Sequence, residues 1–396
     1  MVNVGIAGFG QSKLVTRRTD VTFPELVREG VELTLDDAGM TMDDVDAIVY
    51  PLAPDALIGV NNGERWVVDA LGAAGKPMMR VNNGGATGMS AVLAAWTHIA
   101  SGEFDVVLVA GADRVSESGS AQSVLNKMWD PAYERLVPLN TITMLALSAQ
   151  RYMHLYDSTE RDMALVAEKN RYHASLNPNA HLRKPITVDE VLESRTLAWP
   201  IKLGDACPAT TGAAGLVLVS EKYAKEHNLQ PAWIRGIGQN TETFWMGDRV
   251  GPKHRGDHAD AVSLEEAFQT AYEMAGVTDP KTQVDVAEVY APFSSVELHV
   301  IEAAGLAERG GAPALLREGK FRLGNEGTVV NPSGGTLCSN PIAVTGTIRV
   351  GEAANQVRGR AGAIQVPGAR VAVASAIGGD HQFYSTMVLS TDLEEI

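Results

Sequence analysis

The chain has 396 residues, of which 45% are hydrophobic and 20% charged, with a net charge of −15 and two cysteines. That length suits two ordinary domains or one large α/β body with an inserted loop region. An acidic chain with no basic patch excludes nucleic-acid binding, no apolar run is long enough to cross a bilayer, and two cysteines are too few for a disulfide framework or a cysteine zinc site.

The N-terminal MVNVGIAGFGQSK reads immediately as a strand, with no basic segment ahead of a small-residue cleavage site, so the expected compartment is the cytoplasm. Its GIAGFG invites a dinucleotide reading. The following QSKLVTRRTD does not open an apolar helix, and without that helix N-terminus no pyrophosphate is held. PELVREGVELTLDDAG has helical apolar spacing, and VDAIVYP is the next strand. VNNGGATGMSAVLAAW, Val81 to Trp96, reads as a strand end, a glycine-rich turn and a helix. Phe104 to Ala112 is a continuous apolar strand of the kind buried on both faces.

From Ser116 to Pro200 the chain turns polar, rich in His, Arg and Tyr, and helical around Arg151 to His173. This reads as an inserted region, the usual place for binding residues on a rigid scaffold. His154 and His173 within it are expected to be surface or structural residues. Beyond it the pattern repeats. LDDAGMTMDDVDAIVY, Leu35 to Tyr50, is echoed by AYEMAGVTDPKTQVDVAEVY, Ala271 to Tyr290: a helix ending in Ala-Gly, a turn, Val-Asp, and a strand closing on Val-Tyr. The echo predicts two similar α/β halves. In KHRGDHADA, the group His254, Asp257, His258 and Asp260 has metal-like spacing only on a helix. The flanking Gly251-Pro252 predicts a loop, and no metal is expected.

Five segments carry a family likeness: Val81 to Ala91, GDACPATTGAAGLVLVS from Gly204, AEVYAPFSSVEL from Ala287, NPSGGTLCSNPIAVTG from Asn331, and SAIGGDHQFYSTMVL from Ser375. In this order they resemble the thiolase superfamily, and most closely its sterol-carrier-protein-type thiolase-like branch, over residues 3–391. The resemblance implies an α/β thiolase fold, five-layered αβαβα, with two pseudo-duplicated halves. Residues 1–115 with 201–230 would form one half, 116–200 the inserted region on the coenzyme A side, and 231–396 the other half. It also implies a homodimer and an acyl-CoA substrate, with no cofactor beyond the coenzyme A that the substrate carries.

Carried over position by position, the family's nucleophilic cysteine falls on Gly85, its histidine on Asn340 and its second cysteine on Ala376. Thiolysis needs a nucleophile to accept the acyl group, and glycine offers none. What remains is backbone N–H donors in the turns at Gly85, Gly378 and Gly379, which suit a developing enolate or oxyanion. A retro-aldol cleavage needs only such a hole and one base. Arg151 to Ala180 also resembles the matching loop of actinobacterial thiolase-like aldolases that cleave steroid side-chain β-hydroxyacyl-CoAs with a zinc-ribbon and OB-fold partner protein.

Four side chains are candidates for the chemistry. Tyr290 takes the place of a polar family residue and is either a proton donor or a buried tyrosine with a satisfied hydroxyl. His381 is either the general base or a loop cap. Asn340 either hydrogen-bonds the thioester oxygen or fixes a turn before proline. Cys338 is either a displaced nucleophile or a small buried hydrophobe, and Cys207 is expected in the core. Three readings follow: a C–C lyase, an acyltransferase with a non-standard nucleophile, and a silent acyl-CoA-binding subunit.

Overall fold

The structure is a computed structural model and describes residues 2–117, 119–137, 139–249, 256–394 and 396. Its strands are β1 (Val4–Gln11), β2 (Ala47–Pro51), β3 (Met78–Val81), β4 (Val106–Arg114), β5 (Thr196–Ala198), β6 (Ile201–Lys202), β7 (Thr211–Ser220), β8 (Ala232–Thr241), β9 (Val286–Glu288), β10 (Val329–Val330), β11 (Val371–Gly378) and β12 (Phe383–Ser390). Ten of them form one hydrogen-bonded sheet in the order β10-β9-β11-β12-β8-β1-β7-β4-β2-β3. Read outward from the central β8–β1 pair, the two arms are the same. β1 corresponds to β8, β7 to β12, β4 to β11, β2 to β9 and β3 to β10.

The echoed segments do the same work in both arms. Asp46, just before β2, accepts hydrogen bonds from the Asp105 and Val106 amides at 2.9 and 2.8 Å. Its counterpart Asp285, just before β9, accepts from Arg370 and Val371 at 2.8 and 3.0 Å. Each aspartate thus ties the start of a central strand to its parallel neighbour. The helices Phe23–Ala38 and Val262–Ala275 end alike, on Gly39 and Gly276 in the left-handed conformation.

β1 runs unbroken through GIAGFG, so these glycines form no phosphate turn. They admit a helix instead: a Cβ on Gly10 would sit 2.4 Å from Leu33 backbone carbon. On β8 the same job falls to Gly238, where a Cβ would sit 1.7 Å from the Ala267 carbonyl oxygen. GFGQ at 8–11 and GIGQ at 236–239 are therefore a second copy of the repeat.

The helices Thr87–Ala100 and Ile342–Val357 pack on each other and on strands of both arms, which makes them the middle layer. Phe23–Ala38 covers the outer face of the first arm and Val262–Ala275 that of the second. The result is five layers, αβαβα, with the two sheets continuous through the short β1–β8 ladder. Apolar side chains fill the space on both sides of each sheet. The inserted region holds the helices Thr141–Tyr156 and Glu160–Leu176, broken at Asp157, and packs against the second arm. No described helix is long and apolar enough to cross a membrane.

His254 lies outside the described residues. Asp257 pairs with Arg151 at 2.6 Å, and Asp260 with Arg309 at 3.4 Å. His173 is fully buried: its Nε2 accepts from the Leu323 amide and its Nδ1 meets the Asn331 carbonyl, both at 2.9 Å. Burial lowers its pKa to about 3, so it is a neutral structural residue.

An ionic cluster is buried under the second arm. Arg349 on the middle helix pairs with Glu288 at the end of β9, and Ser333 bonds the same carboxylate at 2.8 Å. Glu352 one turn further accepts from Gln11 at 2.6 Å. Its pKa is pushed up to about 7 by burial, with the Glu288 charge adding to the shift. Below about 4.5 this carboxyl is protonated in both folded and unfolded chains. Above that the unfolded chain sheds a proton the folded one keeps, so this group's contribution to stability falls as pH rises toward 7 and then levels off. Buried histidines such as His173, with lowered pKa, contribute the opposite slope below about 6.5, so the variant-minus-wild-type difference isolates Glu352. Glu352→Gln keeps an acceptor for Gln11, and its Tm relative to wild type is expected to rise from pH 5 to pH 8, reaching about 3 °C or more above wild type at pH 8; a difference that does not change with pH refutes the assignment.

Candidate active site

The middle helices begin at the two places the sequence singles out. Thr87–Ala100 follows the turn Asn82–Ala86, and Ile342–Val357 follows Asn340-Pro341. Asp113 at the end of β4 accepts from the Ala343 amide at 2.9 Å, anchoring the second helix start to the first arm. The glycine turn and the end of β11 abut backbone to backbone. A Cβ on Gly378 would meet the Asn83 carbonyl oxygen at 2.3 Å, and one on Gly84, at φ 57°, would meet Gly379 nitrogen at 3.2 Å.

Gly85 faces something more specific. A Cβ there would lie 2.4 Å from the Ile377 carbonyl oxygen and 2.8 Å from the Tyr290 hydroxyl oxygen. The phenol thus fills the space into which a side chain at position 85 would project. Tyr290 itself is pinned from behind: Ser375 Oγ accepts from its amide at 3.3 Å, and Asn331 Oδ1 accepts from the preceding Val289 amide at 2.8 Å.

Gly85, Gly378, Gly379, Tyr290, Asn340 and His381 line one cavity of about 340 Å³. Five of these come from sequence positions more than 200 residues apart from Gly85. Asn340 is oriented by its neighbours. Its carbonyl oxygen accepts from Thr345 Oγ1 at 2.9 Å, which turns its amide nitrogen toward Cys207 Sγ at 3.2 Å. It also hydrogen-bonds Tyr290, opposing the burial that raises the phenol's pKa far above its ordinary value. Tyr290 is a protonated phenol at any working pH.

The structure chooses between the two readings of Cys338 and departs from the expectation for Cys207. Cys338 is not on the cavity. The short helix Gly335–Cys338 turns it, fully buried, against Ala174 and Ala180, and burial pushes its thiol up to about 12. It is the small buried hydrophobe and no displaced nucleophile. Cys207 is on the cavity and not in the core, because the Ala206–Phe293 bridge and a bond from its amide to the Pro292 carbonyl at 2.9 Å bring it beside Asn340. Its thiol is also pushed up, to about 11, by burial. Ala376 is buried in β11 within the middle core.

The last glycine loop holds two ionisable groups in the left-handed region, Asp380 at φ 53° and His381 at φ 65°. Such strained backbone persists only when the surroundings fix it. Arg249 does so by donating to the Asp380 and His381 carbonyls at 3.0 and 3.1 Å, and the Tyr384 hydroxyl donates to the His381 carbonyl at 2.7 Å. Asp380 Oδ2 and His381 Nε2 are buried with no protein partner among the described residues. Burial drives His381 well below the ordinary imidazole range, with the His299 ring 6.5 Å away adding to the effect. Burial also raises Asp380 to about 7, against the pull of Arg249. Asp380 was not among the residues expected from sequence, where it passes for an ordinary loop aspartate. Its place directly after a double glycine was the available signal.

Comparison with known proteins agrees with this architecture. Residues 4–222 match the family model "Thiolase, N-terminal domain", and residues 253–391 match "Thiolase C-terminal domain-like". An acetyl-CoA acetyltransferase of Methanothermobacter thermautotrophicus is 28% identical over 96% of this chain and 97% of its own. Sterol carrier protein 2 of Gallus gallus is 30% identical over 95% of this chain and 69% of its own. Among solved structures, an "Ltp2-ChsH2(DUF35) aldolase" superposes with a TM-score of 0.82 at 25% identity, covering 99% of this chain and 98% of that one. A monomeric SCP2-thiolase like protein type 1 from Mycobacterium smegmatis shares the fold, with a TM-score of 0.72 at 18% identity over 99% of this chain and 78% of that one. With both halves matched in order and a common site at the head of the two middle helices, the chain belongs to the thiolase family.

Proposed function

We propose that this protein is a C–C lyase that cleaves a β-hydroxyacyl-CoA by a retro-aldol reaction. The observation that carries the reading is the Tyr290 hydroxyl standing where a nucleophile at position 85 would project. Acyl transfer needs a covalent acceptor, and a phenol held protonated by burial is a poor one unless a base takes its proton. It can donate a hydrogen bond. Together with backbone amides of the Gly85 and Gly379 turns it would stabilise the thioester oxygen as negative charge develops there.

The base takes the proton of the β-hydroxyl, the Cα–Cβ bond breaks to give a ketone or aldehyde, and the electron pair passes to the thioester enolate. The proton then returns to Cα, so none is gained or lost overall. We assign the base to Asp380 and not to His381. A base works best when its pKa lies near working pH; burial places Asp380 there and leaves His381 a weak, neutral imidazole. The aldolase neighbour supports the reading. The second reading is acyl transfer through Cys207, favoured by its place on the cavity and by the acetyltransferase relative. Its buried, protonated thiol weighs against that.

One assay separates the two. With a tertiary β-hydroxyacyl-CoA, turnover should rise with pH through about 7 as Asp380 ionises. Asp380→Asn should lower kcat by about 10²–10⁴-fold and abolish that rise. Cys207→Ser should keep most of the activity. The opposite pattern, with Cys207→Ser inactive and Asp380→Asn unaffected, refutes the lyase.

The crowding at position 85 makes its own prediction. Gly85→Cys should yield no covalent acyl-enzyme on incubation with acetyl-CoA, and should lose roughly 1–3 kcal/mol of stability as the Ile377 carbonyl and Tyr290 are displaced. Mass spectrometry showing an acylated Cys at full stability would disprove the steric argument.

The proposal extends to assembly. The aldolase neighbour is an Ltp2-ChsH2(DUF35) assembly, and a DUF35 partner of that kind, with a homodimer at the centre, is the expected active unit. Co-expression followed by size-exclusion chromatography checks this; full turnover by the isolated chain at its monomer mass would remove both elements.

A further inference from the structure

Arg249 ends the short turn Met246–Arg249 and is only 5% exposed. The β8–β12 ladder stops at the Thr241–Phe383 pair, and the two loops beyond it are joined by the Glu242 amide, which donates to the Gln382 carbonyl at 2.7 Å, and by Arg249. On the side of its own loop, Arg249 Nε and Nη2 donate to the Thr243 carbonyl at 3.1 and 2.6 Å, and Nη2 reaches the Phe244 carbonyl at 3.5 Å. On the other side, Nη1 donates to the Asp380 and His381 carbonyls at 3.0 and 3.1 Å. A planar fork of N–H groups can serve four carbonyls on two loops, whereas the compact ammonium of a lysine cannot.

These carbonyls satisfy the N–H groups of Arg249 and leave its charge. Every printed partner of the guanidinium among the described residues is a backbone oxygen, and no carboxylate there forms an ion pair with it. A buried charge with no opposite charge beside it is costly, so its retention calls for a task. The charged and titratable groups around Asp380 are Arg249, Glu134 of the inserted region, Tyr290 and the adjoining His381, with His299 and His258 around that histidine. Of these, Arg249 is the permanent cation. Its charge favours the Asp380 carboxylate, while burial and the Glu134 charge oppose it.

We propose that Arg249 is a positioning residue for the cleavage: its fork ties the loop that carries Asp380 to the loop after β8, and its charge holds Asp380 as the carboxylate that takes the proton of the β-hydroxyl. This rests on the retro-aldol reading with Asp380 as its base. The two tasks are separable by substitution. Lysine keeps the charge and loses the fork, whereas glutamine and methionine lose the charge. Without the cation a higher pH is needed to ionise Asp380, so turnover near neutrality falls and is recovered in alkaline buffer.

Two measurements test this. The first needs no turnover: the protonated-carboxyl band of Asp380, identified in infrared difference spectra by its loss in Asp380→Asn, is titrated with pH. Its midpoint should lie at about 7 in the wild type, rise by about one pH unit or more in Arg249→Gln and Arg249→Met, and stay at the wild-type value in Arg249→Lys. The second is cleavage of a tertiary β-hydroxyacyl-CoA, where Arg249→Lys should lose about tenfold or more in kcat with KM changed less than about twofold. A folded neutral variant with the wild-type midpoint overturns the proposal, and so does Arg249→Lys with wild-type kcat. Two neutral variants are used so that misfolding of one, read from its Tm, leaves the other to decide; if both misfold, the kcat of Arg249→Lys decides. A wild type that cleaves no β-hydroxyacyl-CoA refutes the lyase reading instead, and the infrared midpoints still report what Arg249 does to Asp380.

Discussion

The two middle helices touch backbone to backbone. A Cβ on Gly88 would sit 2.5 Å from the Thr347 amide nitrogen, and one on Gly346 would sit 2.4 Å from the Met89 nitrogen. That contact fixes how far apart the two helix starts are, and the site is built from what precedes each start: the turn at Gly85 on one side, Asn340 on the other. Asp113 tightens the arrangement by reaching from the first arm to the second helix. Neither half of the duplication could make the cavity alone.

Burial then decides the chemistry. The same desolvation that raises the Tyr290 phenol also raises the Cys207 thiol and lowers the His381 imidazole, each toward its neutral form. The cavity is therefore a place where charge is expensive. An Asp380 carboxyl poised at about 7 is the group that can change its charge near neutrality, and the strained loop that carries it is held by Arg249 and Tyr384. A thioester enolate formed there would find hydrogen-bond donors in place of water, which is what a preorganised site supplies.

Much of the fold was legible. The echo of Leu35–Tyr50 in Ala271–Tyr290 is a packing instruction, because Val-Asp before a strand provides the carboxylate that clamps the next one. The shorter echo of GFGQ in GIGQ was hidden, since its meaning is a close helix approach that only the packed structure displays. The cysteines show a different limit. Cys338 stands two residues from Asn340 in sequence and so suggests a shared site, but a single helical turn rotates it into the wall behind. Cys207 stands 133 positions from Asn340 and touches it.

The sequence by itself determined the α/β alternation, its duplication, and the glycine at position 85, because these depend on local periodicity and on the identity of single residues; the five-layered arrangement came from the family resemblance. Tertiary structure alone decided which cysteine meets the cavity, that Asp380 and His381 are both buried beside it, and that the Tyr290 hydroxyl fills the space beside Gly85. Those outcomes depend on desolvation and on distances between segments far apart in the chain, quantities that no local pattern encodes.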